Sequence, residues 1–245
     1  MQLAPAIILT TAALLAFTTG CEKKKRRLDA TEEKTEEKKA EAKGPAGITD
    51  DEIVLGMSSS FQGSAAEIGI ESYRGAMAYF AEVNASGGVN GRKLRIIPMD
   101  DSYDGAKAAA NTDMLLKDRN VFVMFSAGGT GNTNGIVKAL SAQKEPNLRD
   151  QAFLFGSTSG AQATRQLPNS QWVYHVRTSI NQTTRAAVEA FLAGGKKKIG
   201  VFAQDDDFGQ AVIEGARLAA TDLKTTIAAE AKQPAGVGSG DDTVH

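Results

Sequence analysis

Residues 53–101, IVLGMSSSFQGSAAEIGIESYRGAMAYFAEVNASGGVNGRKLRIIPMDD, constrain this chain more than any other stretch, because strand, loop, helix, turn and strand follow one another without interruption. IVLGM is a short apolar run ending in small polar residues, the pattern of a strand buried on both faces. Residues 70–85 then carry Tyr73, Met77, Phe80 and Val83 at helical spacing. SGGVNG supplies glycines for positive φ after the last turn. KLRIIPMDD resumes an extended strand that ends in two carboxylates, Asp100 and Asp101. A strand, a crossover helix and a second strand make a right-handed βαβ module.

The rest of the chain repeats this alternation. Extended segments are predicted at 93–99, 121–126, 153–156, 172–177 and 199–204, and helices at 105–117, 134–143, 182–192 and 208–223. That order predicts an α/β fold of parallel sheets with helices on both faces. The 25 glycines sit mainly at strand-to-helix turns. After residue 223 only TTIAAEAK and a glycine-rich tail ending GSGDDTVH remain. No further strand is predicted there, and the 199–204 strand is expected to keep an unpaired edge.

Sites in such sheets lie outside the carboxyl ends of the strands, where loops open into helix N-termini. Two loops qualify: Ala127 through Asn134 (AGGTGNTN), and Gly156 through Gly160 (GSTSG). Each joins glycines, which let backbone N–H groups approach a ligand, to hydroxyls, at a helix start that favours an anion. A carboxylate is the natural guest. Plain turn chemistry and capping account for the same residues, and composition alone leaves both readings open. The run Asp205, Asp206 and Asp207 suggests a metal site, yet neighbouring turn residues point apart, and Asp206 or Asp207 as a helix N-cap explains more.

Seven segments in order, from the IVLGM strand with its SSSFQGSAAEIG loop through GGVNGRKL, DDSYDGAKA, SAGGTGN, GSTSGAQATR and VYHVRTS to KKIGVFAQDDDFGQA, resemble the type I solute-binding proteins of ABC importers. The similarity is greatest to the leucine/isoleucine/valine-binding family and covers residues 53–226. It implies a type I periplasmic-binding-protein fold with two lobes closing about a hinge. The first lobe would occupy 47–172, and the hinge crossing with a partial second lobe 173–245. The resemblance also implies an extracytoplasmic substrate-binding protein that captures a branched-chain or related amino acid for a membrane permease, without catalysis or cofactor. A sensory module signalling to a membrane partner uses the same fold and is the alternative. By position, Gly129, Thr130, Thr158, Ser159 and Gly160 inherit the grip on the α-carboxylate and part of the α-ammonium. Phe208 stands where the family commonly has a tyrosine lining the cleft from the second lobe; its ring offers packing or a cation–π contact, with core packing as the rival role. Gly105 departs from the family's proline, leaving Asp104 to cap the following helix. Similar proteins continue much further, so the chain is expected to be a fragment of a longer gene or a decayed version of one.

The first 20 residues read as a signal peptide: 3–17 is apolar but shorter than the ~20 residues that span a bilayer. Cys21, the only cysteine, follows Thr18, Thr19 and Gly20 as at a bacterial lipoprotein processing site, which implies a lipid-anchored protein in the periplasm or at the outer face of the cell membrane. Against this stand Thr18 in place of leucine and the lack of a basic residue before the apolar run, so an ordinary secreted protein is the alternative. Residues 21–46 are a charged tether with no apolar stripe to bury. With a formal net charge of −1, nothing points to nucleic acid.

Enzyme readings fail on inspection. GSTSG resembles a nucleophile elbow, but its centre is Thr158. His175, the only internal histidine, sits in a predicted strand as a structural residue. No glycine loop completes a phosphate-binding motif, and one cysteine with two histidines makes a metal cluster improbable.

Overall fold

The computed structural model describes residues 45–144 and 153–234. The signal sequence, Cys21 and nearly all of the tether lie outside the described residues, which fall within a single compact unit.

Strand β1 (Glu52–Ser59) and β2 (Lys93–Asp100) run parallel in unbroken register from Glu52 opposite Lys93 to Ser59 opposite Asp100, joined by helix α1 (Ala66–Ala85). Helix α2 (Gly105–Lys117) leads to β3 (Val123–Phe125), and α3 (Thr130–Ser141) to β4 (Leu154–Ser157). Two short 3₁₀ turns, Gln162–Thr164 and Asn169–Trp172, precede β5 (Val173–His175). The sheet is parallel throughout, in the order β2-β1-β3-β4-β5. Strand β5 thus belongs to the first sheet, and the chain crosses only after it.

Alternate residues of β1 divide between two cores, as the two-residue period of a strand requires. On one face Val54 packs with Leu115, Leu116, Val121, Met124, Ile136 and Leu140 beneath α2 and α3. On the other, Leu55 and Met57 meet Phe80, Ile96 and Val123 beneath α1. The helices after β1 and β3 therefore leave on opposite faces, and the order reverses between these neighbouring strands. A crevice opens at such a switch point.

Beyond the crossing, α4 (Ile180–Ala193) starts at a capping box in which the Ser179 hydroxyl accepts the Gln182 N–H and the Gln182 side chain accepts the Ser179 N–H. Strand β6 (Ile199–Gln204), α5 (Asp207–Asp222) and β7 (Ile227–Gln233) complete a second, smaller layer around Val188, Ile199 and Ala219. The expectation that no strand follows residue 223 is corrected here: β7 pairs with β6 in parallel from Ile199 opposite Ile227 to Gln204 opposite Gln233, and in this two-stranded sheet β6 keeps its other edge unpaired among the described residues. IAAEAKQ is mostly exposed and poor in β-branched residues, so its strand state comes from backbone pairing and not from local propensity.

Helix starts shift as well. Helix α3 begins at Thr130, not Asn134, because the small residues of TGNTNG pack into the interior, with Asn132 and Thr133 fully buried. Asp104 does cap α2, accepting from the N–H groups of Ala106 and Lys107 at 2.7 and 3.0 Å.

Candidate functional site

The loops after β3 and β4 are bonded into one unit. Ala127 C=O accepts both the Thr158 N–H (3.0 Å) and the Thr158 hydroxyl (3.1 Å). The Thr133 and Ser157 hydroxyls lie 3.1 Å apart, and those of Thr130 and Ser159 3.2 Å apart. Thr130 and Ser159, each 2 % exposed, thus form a hydroxyl pair at the floor, beside the first turn of α3. Gly129 caps that turn at φ 91° and ψ 153°, and a Cβ there would lie 2.6 Å from the Tyr103 ring. Only glycine occupies this backbone region without strain.

These loops form one wall of a cleft of about 800 Å³, within the size range of small-ligand sites. Of the residues expected from the sequence, Gly129, Thr130, Thr158 and Ser159 line it from the first sheet and Phe208 from the start of α5. Gly160 does not. It is buried behind the loop, where a Cβ would come within 2.8 Å of the Ile180 side chain, so it serves packing against α4. Phe208 is brought in by a tight turn: Asp206 caps α5 by accepting the Gly209 N–H at 2.8 Å, and Gly209 lies so close to the Gln204 carbonyl that a Cβ would stand 1.8 Å from it. Asp207 accepts from Asn134 of α3 at 2.8 Å, and Asp205 from Lys232 at 3.1 Å. The three consecutive carboxylates therefore serve separate partners.

Sequence reasoning missed Ser102, Tyr103 and Arg177 in the lining. Ser102 and Tyr103 both adopt left-handed backbone, φ 50° and 62°, which is uncommon outside glycine. The carboxylates that end β2 hold them there. Asp100 accepts from the Ser102 hydroxyl at 2.6 Å and the Phe61 N–H at 2.7 Å. Asp101 accepts from the Tyr103 N–H at 3.0 Å and the Ser58 hydroxyl at 2.8 Å, and Ser58 in turn accepts from Asn111 at 3.1 Å. Burial pushes the pKa of Asp101 up, and its hydrogen bonds only partly offset this. For Asp100 the balance is reversed: burial alone would raise its pKa, but the bonds from Ser102 and Phe61 hold it below the ordinary value. Burial also raises the Tyr103 phenol, with further contributions from the charges of Asp206 and Asp101. The DD-x-x-D pattern was the available signal, but nothing in it says that the intervening tyrosine turns back over Gly129.

His175 is half-buried, its Nε2 3.3 Å from the Thr164 carbonyl, which can only accept. Burial lowers its pKa, which fits a neutral structural imidazole.

A family model described as periplasmic binding protein matches residues 52–244. An amino acid binding protein of Pseudomonas aeruginosa and a Leu/Ile/Val-binding protein of Escherichia coli K12 are each 30 % identical over 74 residues, 30 % of this chain and 20 % of theirs. A possible leucine/isoleucine/valine-binding protein from Rhodopirellula baltica SH 1 superposes with a TM-score of 0.65 at 25 % identity, over 78 % of this chain and 50 % of that one. A Rhodopseudomonas palustris solute binding protein in complex with benzoate shares the fold with a TM-score of 0.64 at 20 % identity, over 75 % of this chain and 48 % of its own. The chain thus spans about half the length of its solved relatives.

Proposed function

We propose a function from one premise: the chain belongs to the periplasmic binding protein family, with the type I fold of the leucine/isoleucine/valine-binding proteins. On that premise it is the ligand-holding part of an extracytoplasmic substrate-binding protein that captures a small carboxylate-bearing solute, an amino acid, and presents it to the permease of an ABC importer. The observation that carries this reading is the convergence of the Thr130 and Ser159 hydroxyls at the start of α3 inside the cleft. A carboxylate there meets hydroxyl donors, unpaired first-turn N–H groups and the positive end of the helix dipole. The names of the bacterial relatives, amino acid binding and Leu/Ile/Val-binding, support the solute class. Phe208, entering from α5, supplies an apolar or cation–π surface to the rest of the solute. Delivery of the protein to the outer face, through a signal peptide and a lipid on Cys21, completes the proposal.

Calorimetry with free amino acids and their α-amides tests it. A free amino acid should bind and its amide should not, and Ser159→Ala should weaken binding by about 1.5–3 kcal/mol, the contribution of a hydrogen bond to a charged group. Equal binding of acid and amide, unmoved by Ser159→Ala, refutes the carboxylate site.

A further inference from the structure

We propose that Arg177 is a specificity-determining residue that favours solutes carrying a second acidic group, such as an acidic amino acid, over zwitterionic branched-chain amino acids. This narrows the solute class of the same cleft and rests on its reading as an amino-acid site.

The main chain of Arg177 is fixed. Its carbonyl accepts from Arg165 Nη2 at 2.7 Å, and the same nitrogen donates to the Ser159 carbonyl at 3.1 Å, so one guanidinium ties Arg177 to the ligand loop. Its side chain, by contrast, is free to act. The one hydrogen bond it donates among the described residues is a long one, Nη1 to the Thr158 carbonyl at 3.4 Å. Arg74, Arg95, Arg185 and Arg217 each hold a carboxylate, whereas Arg177, which lines the cleft, pairs with none among the described residues. Glu67, the carboxylate in the same lining, is not within ion-pair distance of it.

Beside it stands a second cation that pairs with no carboxylate among the described residues. Arg165 Nε is buried without an acceptor, and burial together with the Arg177 charge disfavours the Arg165 cation. Two adjacent guanidiniums without a counter-ion repel, and an entering carboxylate relieves that repulsion while matching the planar fork of Arg177 with two parallel bonds. This anchor differs in depth from the hydroxyl pair. Thr130 and Ser159 are buried at the floor at 2 % exposure, whereas Arg177 is exposed at the rim. A carboxylate seated on the floor leaves the rim fork for a second acid group, and a side chain without one leaves the fork idle.

The test uses the ¹⁵N-labelled chain with L-glutamate, glutarate and L-leucine as probes, followed by NMR of the loop amides and the arginine Nε–Hε signals. Glutamate should shift both the Gly129 and Ser159 amides and the Arg177 Nε–Hε signal, and bind about tenfold or more tightly than leucine, the low end for a hydrogen bond to a charged group. Arg177→Gln should remove the preference by weakening glutamate about tenfold while leucine affinity changes far less, and Arg177→Lys, which keeps the charge but loses the fork, should retain part of it. Leucine binding as tightly as glutamate, or an undiminished preference in Arg177→Gln, overturns the inference while leaving the amino-acid site standing. No shift of the loop amides with any probe overturns the site and the inference together.

Discussion

Replacing Gly129 by alanine is the sharpest test of how the cleft is built. At φ 91° and ψ 153° the residue occupies a region open in practice to glycine alone, and holding an L-residue there costs about 1–3 kcal/mol. The new Cβ would also lie 2.6 Å from the Tyr103 ring, and accommodating such an overlap adds about 1–3 kcal/mol unless the ring swings away. A loss of about 2 kcal/mol or more is expected, or a drop of roughly 4–8 °C in Tm for a chain of this size. Gly131 is the control. It lies inside α3 with nothing within 4 Å of where a methyl group would stand, so Gly131→Ala should stabilise by about 0.5–1 kcal/mol through the unfolded chain. Urea unfolding followed by far-ultraviolet circular dichroism measures both. Tyr103→Ala in the Gly129→Ala background separates the two contributions, because it removes the overlap and leaves the backbone strain. If Gly129→Ala stays within about 0.5 kcal/mol of the parent, or if the two alanines move stability in the same direction, the account of this turn is wrong.

Asp101 carries a pH signature. Its folded pKa is raised, chiefly by burial, so the native state holds a proton that the unfolded chain has released, and its contribution to stability is present at low pH and is lost as pH rises from about 4 toward the folded value. Asp101→Asn should therefore lose less stability than the parent over that rise, as read from urea midpoints along a pH series; parallel curves would refute the shift. The proposed anchor is tested by labelled fatty acid in a bacterial host, which should enter the parent chain and not Cys21→Ser; equal labelling of both would end that proposal.

The alternation of apolar runs with helical patterns was legible because burial imposes its period on the side chains. A short unbroken apolar run in β1 and a helical stripe in α1 state the element type directly, and the shared order of motifs carried the family. The two loops were legible as glycine- and hydroxyl-rich turns at strand ends, which local backbone geometry dictates. It was the family resemblance that singled out Thr130 and Ser159, whose hydroxyls lie 3.2 Å apart.

Three features depended on tertiary structure. Strand β7 forms because the β6 edge pairs with it, and backbone pairing leaves no side-chain pattern to read in IAAEAKQ. Gly160 sits with the loop residues in sequence but faces Ile180, since which way a turn residue points is decided by the element packed behind it. Tyr103 and Arg177 enter the cleft through bonds that local patterns do not announce: Asp100 and Asp101, held from the β1 side by Phe61 and Ser58, turn Tyr103 back over Gly129, and Arg165 ties Arg177 to the Ser159 loop. Local sequence determined what every segment but β7 is and which residue types stand at the strand ends. The long-range hydrogen bonds, whose partners no local pattern encodes, decided which of those residues share one cavity.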